Sequence, residues 1–253
     1  MVYDLQKADM WKRISAALFD FTILCVVIMI FALLLSWVTG YDTYSKALED
    51  IEKSYAEKYD IDLNLYGTEE YEKLSDEDKA RYELANKMFQ QDEQAILLYQ
   101  VKINLVIFMS IASVVLAYVV LEFIIPLIFK NGQTLGKKIF GIAVIRYDLV
   151  KITPLLLFVR SILGKCTVET LLPALVLVMS FTGGGIFSLI IVILYFIAQI
   201  AFFLFTRERT LVHDVMAQTV AVDMSSQMIF DSPEALLEYK QKLQAEKAAR
   251  SDY

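Results

Sequence analysis

The stretch ISAALFDFTILCVVIMIFALLLSWV, residues 14–38, decides the fold. It holds one acid, Asp20, and no base. At 1.5 Å per residue it is about 37 Å long as a helix, enough to cross a hydrocarbon layer of about 30 Å. Trp11, Lys12 and Arg13 stand at its entrance, an aromatic at interfacial depth followed by two cations. Arg13 and Asp20 are two helical turns apart, on one face and about 10 Å from each other along the axis. A carboxylate facing lipid costs several kcal/mol, so Asp20 must face protein or water. The rest of the chain has to supply that surrounding. The run is too long for the apolar part of a cleavable leader and lacks a small-residue cleavage site, so it reads as a retained signal anchor.

Outward from this run, the composition agrees. Of the 253 residues 57% are hydrophobic, and the mean hydropathy is +0.50, beyond an ordinary soluble domain. Three more apolar runs follow. A second membrane helix is expected over 101–129, with Glu122 inside it and Pro126 near its end. A third, shorter one is expected over 167–181 and carries Glu169 and Pro173, and a fourth over 186–206 carries Gln199. Between the second and third, residues 130–152 combine a Gly-Lys loop with an alternating β-branched stretch and suggest a small β-hairpin. Residues 153–165 look too short to span and carry Arg160, which predicts an interfacial helix. Gly183, Gly184 and Gly185 suggest a tight turn. The tail, 207–253, begins with the basic exit Arg207 and Arg209. It ends in a soluble helix with Ser232 as N-cap and Pro233 at its first position. The fold expected is an all-α membrane protein, a four-transmembrane-helix bundle resting in a lipid bilayer.

The segment 40–100 differs from everything around it. Residues 41–95 hold 16 acids and 7 bases, a balance of −9, while the whole chain stands at −6. Tyr44, Leu48, Ile51, Tyr55 and Tyr59 recur at helical spacing, and Ser75 with Asp78 forms a capping-box start to a second helix, expected to run on into the next apolar segment. This predicts a helical hairpin. Lys and Arg concentrate at the N-terminus, in the 130–151 loop and at Arg207 and Arg209, which assigns both termini to the cytoplasmic side of the cell membrane and the acidic hairpin to the outside.

Asp20, Glu122, Glu169 and Gln199 then fall at similar depth on four different helices, in the cytoplasmic half. Polar groups clustered at one depth mark an ion or proton path, or a paired network that fixes helix register, and both readings stand at this point. For the second, Arg13 would pair with Asp20, and Glu122 with Lys165 or Arg160. Gln199 alone suits an interhelical hydrogen bond.

Other signals carry less. His213 is the only histidine, which leaves no histidine-based metal cluster and no catalytic triad; it suits a helix-end hydrogen bond. The stretch from Gly132 through Gly136 to Lys137 is one residue short of a phosphate-binding loop and lacks the Ser or Thr that should follow. The two cysteines, Cys25 and Cys166, imply no disulfide framework. No basic, aromatic-interleaved face suggests nucleic acid. Neither enzymatic activity, nor a cofactor, nor a metal site is expected.

Together these residues resemble the RDD family of multi-pass membrane proteins. Arg13 and Asp20 in the first helix look like the family arginine and first aspartate, and Asp214 like the second. The central glycine-lysine motif is similar across Gly132, Gly136, Lys137 and Gly141, with Glu122 where an acid is common before it. The acidic insert and the tail helix depart from the family pattern. The resemblance implies a membrane protein for which transport of ions or small ligands has been suggested.

Two functions fit. In the first, the chain transports a small cation or ligand by exchange with protons on Asp20 and Glu122, with Arg13 tuning Asp20 and Asp214 at the cytoplasmic mouth, and a homo-oligomer completes the path. In the second, it is a non-transporting adaptor, sensor or assembly factor whose acidic insert binds an external partner and whose cytoplasmic tail helix docks another protein.

Overall fold

The computed structural model describes residues 5–180, 185–205 and 210–251; the expected turn at Gly183 and Gly184 and the basic exit at Arg207 and Arg209 lie outside them. Four helices are long and apolar enough to cross a membrane: Met10–Thr39, Glu93–Phe129, Pro154–Met179 and Gly185–Phe205. Leu33, Trp37, Phe187 and Phe205 are more than two-thirds exposed. Such wide apolar surface is what a helix turned toward lipid presents.

The chain forms two compact units, Met29–Ser113 and the combination of Met1–Ile28 with Val114–Tyr253. The first contains the acidic insert, where helix Tyr41–Tyr59 packs beside helix Asp76–Gln91. Leu48, Tyr82 and Ala85 are buried there, and Tyr55 donates from its hydroxyl to Asp92 at 2.9 Å. Ser75 starts the second helix as expected, its hydroxyl accepting from the Asp78 N–H at 3.1 Å. That helix does not run on into the apolar segment. Asp92 interrupts it, with an extended backbone and Oδ1 accepting from the N–H groups of Gln94 and Ala95, each at 2.9 Å.

In the second unit the long helices are not uniformly α. Residues Val119–Ile124 of the second and Val159–Leu171 of the third are π-helical. Each stretch ends two residues before a proline, Pro126 or Pro173. Proline has no N–H to give, so the carbonyls of Glu122 and Glu169, four residues earlier, lose their α-helical donors. Bonding to the fifth residue is the local answer: Ile125 N–H reaches the Val120 carbonyl and Leu172 N–H that of Thr167.

Two expectations need correction here. The break between an interfacial helix and the third helix does not exist; residues Pro154–Met179 are one continuous helical run through Gly164 and Lys165. The alternating stretch does form a strand, β1 (Ile142–Arg146), but not a hairpin with the residues that follow. Its antiparallel partner is β2 (Thr219–Asp223), with Ile142 opposite Asp223 and Arg146 opposite Thr219. Residues 150–151 contribute only isolated bridges.

This two-stranded sheet is covered on both faces, which explains why its inner residues, 142–145 and 220–222, are all apolar. Ala143, Ile145, Val220 and Val222 pack with Leu149, Val150, Phe230 and Leu236, the last from the tail helix Pro233–Ser251. Ile142 and Ala221 pack on Ala8 and Ala16. The tail helix starts where the sequence placed it, with the Ala235 N–H donating to Ser232 Oγ at 3.2 Å.

Candidate functional site

A cavity of about 580 Å³ lies within the second unit, lined from all four long helices. The first gives Arg13 and Asp20, the second Tyr118 and Glu122, the third Arg160, Lys165, Glu169 and Thr170, and the fourth Gln199. Lys137, His213 and Asp214 line it from outside the spans, and Phe21, Leu24, Ile200 and Phe203 supply apolar wall. Arg13, Asp20, Glu122, Glu169, Gln199, Asp214 and Lys137, chosen from the sequence on separate grounds, therefore meet around one space. Gly132 and Gly141 do not line it.

Asp20 is held by the glycine-lysine motif. Its Oδ1 accepts the Gly136 N–H at 2.7 Å and its Oδ2 the Thr134 hydroxyl. Thr134 also caps the short helix Leu135–Ile139, so the carboxylate sits at the positive end of that turn. The expected Arg13–Asp20 ion pair is not made; the Arg13 guanidinium lies over the Phe203 ring, 5.3 Å from its centre. Gly136 is where the motif needs glycine most: an added Cβ would stand 2.4 Å from the Ala16 carbonyl and 3.0 Å from the Asp20 carboxyl. Gly132 and Gly141 instead occupy left-handed backbone, at φ 61° and 65°.

The third helix carries the cations. Arg160, Lys165 and Glu169 are five and four residues apart, which one face of a π-helical stretch accommodates. Lys165 donates to Glu122 Oε1 at 2.6 Å. Arg160, 2% exposed, donates through Nε to Asp214 Oδ1 at 2.9 Å and through Nη2 to His213 Nε2 at 3.1 Å. Thr219 Oγ1 adds a bond to the same Asp214 oxygen at 3.1 Å. Burial works against the charged form of Asp214, but the Arg160 guanidinium outweighs it and holds the carboxyl well below its usual range.

Burial also holds His213 below its ordinary value, against the pull of the Asp214 and Glu169 carboxylates, which favours the neutral ring. Its Nδ1–H then donates to Glu169 Oε2 at 2.8 Å while Nε2 accepts from Arg160. The close approach of Gly164 lets His213 in, since a Cβ there would lie 2.6 Å from the His213 Cβ. The single histidine thus does more than end a helix; it joins Glu169 to Arg160.

Two oxygens in this network remain open. Glu122 Oε2 and Gln199 Oε1 are buried and have no hydrogen-bond partner among the described residues. Gln199 does make a bond through its amide nitrogen, to the Tyr195 hydroxyl at 2.6 Å. Native proteins rarely leave buried acceptors unpaired, and such groups mark places where a water, an ion or a ligand belongs.

Lys137 is the other unusual group. Its Nζ reaches Thr134 Oγ1 at 3.3 Å. Burial first, then the like charges of Lys165 and Arg160, push its ammonium from 10.5 down to about 7, with Glu122 and Asp20 pulling the other way. Between those two values the unfolded chain binds a proton that the folded chain lacks, so stability rises with pH across the window. Below about pH 7 the full cost of the buried ammonium is present. Lys137→Met should therefore raise Tm at pH 6, with a gain that shrinks toward pH 10; equal gains at both pH values would contradict this origin.

Sequence reasoning undervalued Arg160, Lys165, Thr134 and His213. The signal was available: taken as one 26-residue segment, Pro154–Met179 has a mean hydropathy of 1.8 over its best window and places Arg160, Lys165 and Glu169 on a single membrane helix.

The family model for the RDD family matches residues 7–218. No curated protein and no solved structure matches the chain. The match covers all four long helices, the glycine-lysine motif and every charged residue of the cavity, and the chain belongs to the RDD family of multi-pass membrane proteins.

Proposed function

We propose that this chain is a carrier, not an enzyme, and moves a small cation or small charged ligand across the cell membrane against protons exchanging on its intramembrane carboxylates. The observation that carries the reading is the open pair of buried acceptors, Glu122 Oε2 and Gln199 Oε1, in a cavity of about 580 Å³. That volume lies within the range of small-molecule sites. Three of the four carboxylates facing the cavity also have a charged or titratable partner to trade: Lys165 for Glu122, His213 for Glu169, Arg160 for Asp214. A solute that takes one of these carboxylates releases its partner, which is how occupancy can be coupled to a proton. The excess of Lys and Arg in the N-terminal segment and the 130–151 loop supports cytoplasmic termini. A second copy of the chain would complete the path beyond the cavity.

The test is solute-driven proton movement in proteoliposomes, with sodium, potassium, lithium, small ammonium compounds and amino acids as the panel. Wild type should show it for at least one solute. Glu122→Gln, at equal reconstitution, should lose about tenfold or more, equivalent to roughly 1.4 kcal/mol or above. Absence of movement with every solute would defeat the carrier reading.

The acidic insert favours a second reading, an adaptor that binds an external partner, because residues 41–95 carry a balance of −9 that a carrier does not require. Replacing residues 43–95 with a short linker separates the two. A carrier keeps its flux, whereas an adaptor loses its partner.

A further inference from the structure

Resting on the reading that the cavity binds its solute, we infer that this solute is a small zwitterion, a primary ammonium and an anionic group a few bonds apart with an apolar remainder. The inference starts from what the cavity's own charges leave unsatisfied. Arg160 is engaged by Asp214, and Lys165 by Glu122 Oε1. Lys137 is different: among the described residues its Nζ has a hydroxyl for a partner, Thr134 Oγ1, and no ion pair.

The open groups are therefore of both kinds. Lys137 offers an amine donor that an anion facing it would keep protonated, and Glu122 Oε2 with Gln199 Oε1 offers two acceptors, one of them ionic. Glu122 is itself only 8% exposed, so its free oxygen is not served by bulk water. A bare metal cation would suit the acceptors but meet the Lys165 ammonium on Glu122 as a like charge and leave the Lys137 donor unserved. A simple anion would suit Lys137 but meet the Glu122 carboxylate. A molecule with both charges satisfies both ends, its ammonium donating to Glu122 and Gln199 and its anionic group accepting from Lys137. Phe21 and Phe203 border the same space and give an aliphatic or aromatic remainder a surface to cover.

The chemistry is shared by a free amino acid and by an aminophospholipid headgroup, and the experiment separates them. Purified full-length protein in phosphatidylglycerol nanodiscs is titrated calorimetrically with L-leucine, with leucinamide, which keeps the ammonium and lacks the carboxylate, and with isovalerate, which keeps the carboxylate and lacks the ammonium. The expected result is binding of leucine at least about tenfold tighter than either fragment, the step expected for one charge-assisted contact. Lys137→Met should remove that advantage over leucinamide, and Gln199→Leu should weaken leucine and leucinamide together. Lys137→Met is expected to fold, since it removes a buried charge; the comparison of leucine with its fragments on wild type needs no variant at all.

If leucine fails but phosphatidylethanolamine in the discs raises Tm in a manner that Lys137→Met abolishes, the zwitterion is a lipid headgroup and the inference stands. Leucinamide or isovalerate matching leucine overturns it, as does no response to leucine or to the lipid. Flux of a simple cation alongside either of those results leaves the carrier reading intact and removes this one. Leucine binding without any flux does the reverse.

Discussion

Arg160→Met should lower the stability of the chain by about 3–5 kcal/mol, the range for removing one partner of a buried ion pair. Arg160 is 2% exposed, and three groups lose their donor or counter-charge together: Asp214, His213 and, through His213, the Glu169 side of the network. Asp214 is 2% exposed and cannot turn to water. The double variant Arg160→Met with Asp214→Leu should recover most of the loss, because an apolar pair of similar volume no longer strands a charge. Denaturation by SDS titration in mixed micelles measures all three. A single variant within about 1 kcal/mol of wild type would mean that water or lipid reaches this pair, and the network would lose its claim to hold the cavity in shape.

The second large effect is expected at Gly136. Gly136→Ala places a methyl group 2.4 Å from the Ala16 carbonyl, a backbone atom that cannot swing aside. Either the short helix Leu135–Ile139 or the first long helix must move, at a cost typical of overpacking, about 1–3 kcal/mol. The displacement also breaks the hydrogen bond from the Gly136 N–H to Asp20, at 2.7 Å, and the one from Thr134. Gly132→Ala at a similar cost would act differently, through a left-handed backbone at φ 61° and contacts of 3.0 Å with Val144 and Ile152. The two are distinguished by Asp20→Asn. The Gly136 variant should leave little for Asp20→Asn to destabilise further, whereas the Gly132 variant should add to it in full. Full additivity at both positions would show that Asp20 does not depend on the motif.

Much of this was readable in advance, and for physical reasons. Long apolar runs identify spans because lipid tolerates little else, and the caps at Ser75 and Ser232 are local chemistry, complete within four residues. The polar depths of Asp20, Glu122, Glu169 and Gln199 follow from a fixed rise per residue, so their convergence on one cavity could be anticipated without knowing any contact. What escaped was non-local or depended on where a run is broken. β1 was visible as a strand, but nothing in residues 142–146 indicates that its partner is 219–223 rather than its neighbour 150–152. Arg160 falls at an interface only if the run is broken near Gly164, which leaves a segment too short to span; unbroken, Pro154–Met179 carries it into the cavity. The pairing of Arg13 with Asp20 was plausible from spacing along one helix, yet the carboxylate is taken by Thr134 and Gly136, donors from a distant part of the chain.

The small sheet has a consequence for how the protein is made. β1 emerges from the ribosome before either of the last two long helices exists, and β2 only after both. Until then the N–H and C=O groups along the facing edge of β1 wait unpaired. The N-terminal segment waits longer still: Ala8 N–H bonds to the Ala221 carbonyl at 3.3 Å and Asp223 N–H to the Gln6 carbonyl at 2.9 Å, so it too docks on β2. A nascent chain released anywhere short of Thr219 keeps an open strand edge and a loose leading segment. The ladder therefore closes only on a chain in which these four spans have already been produced.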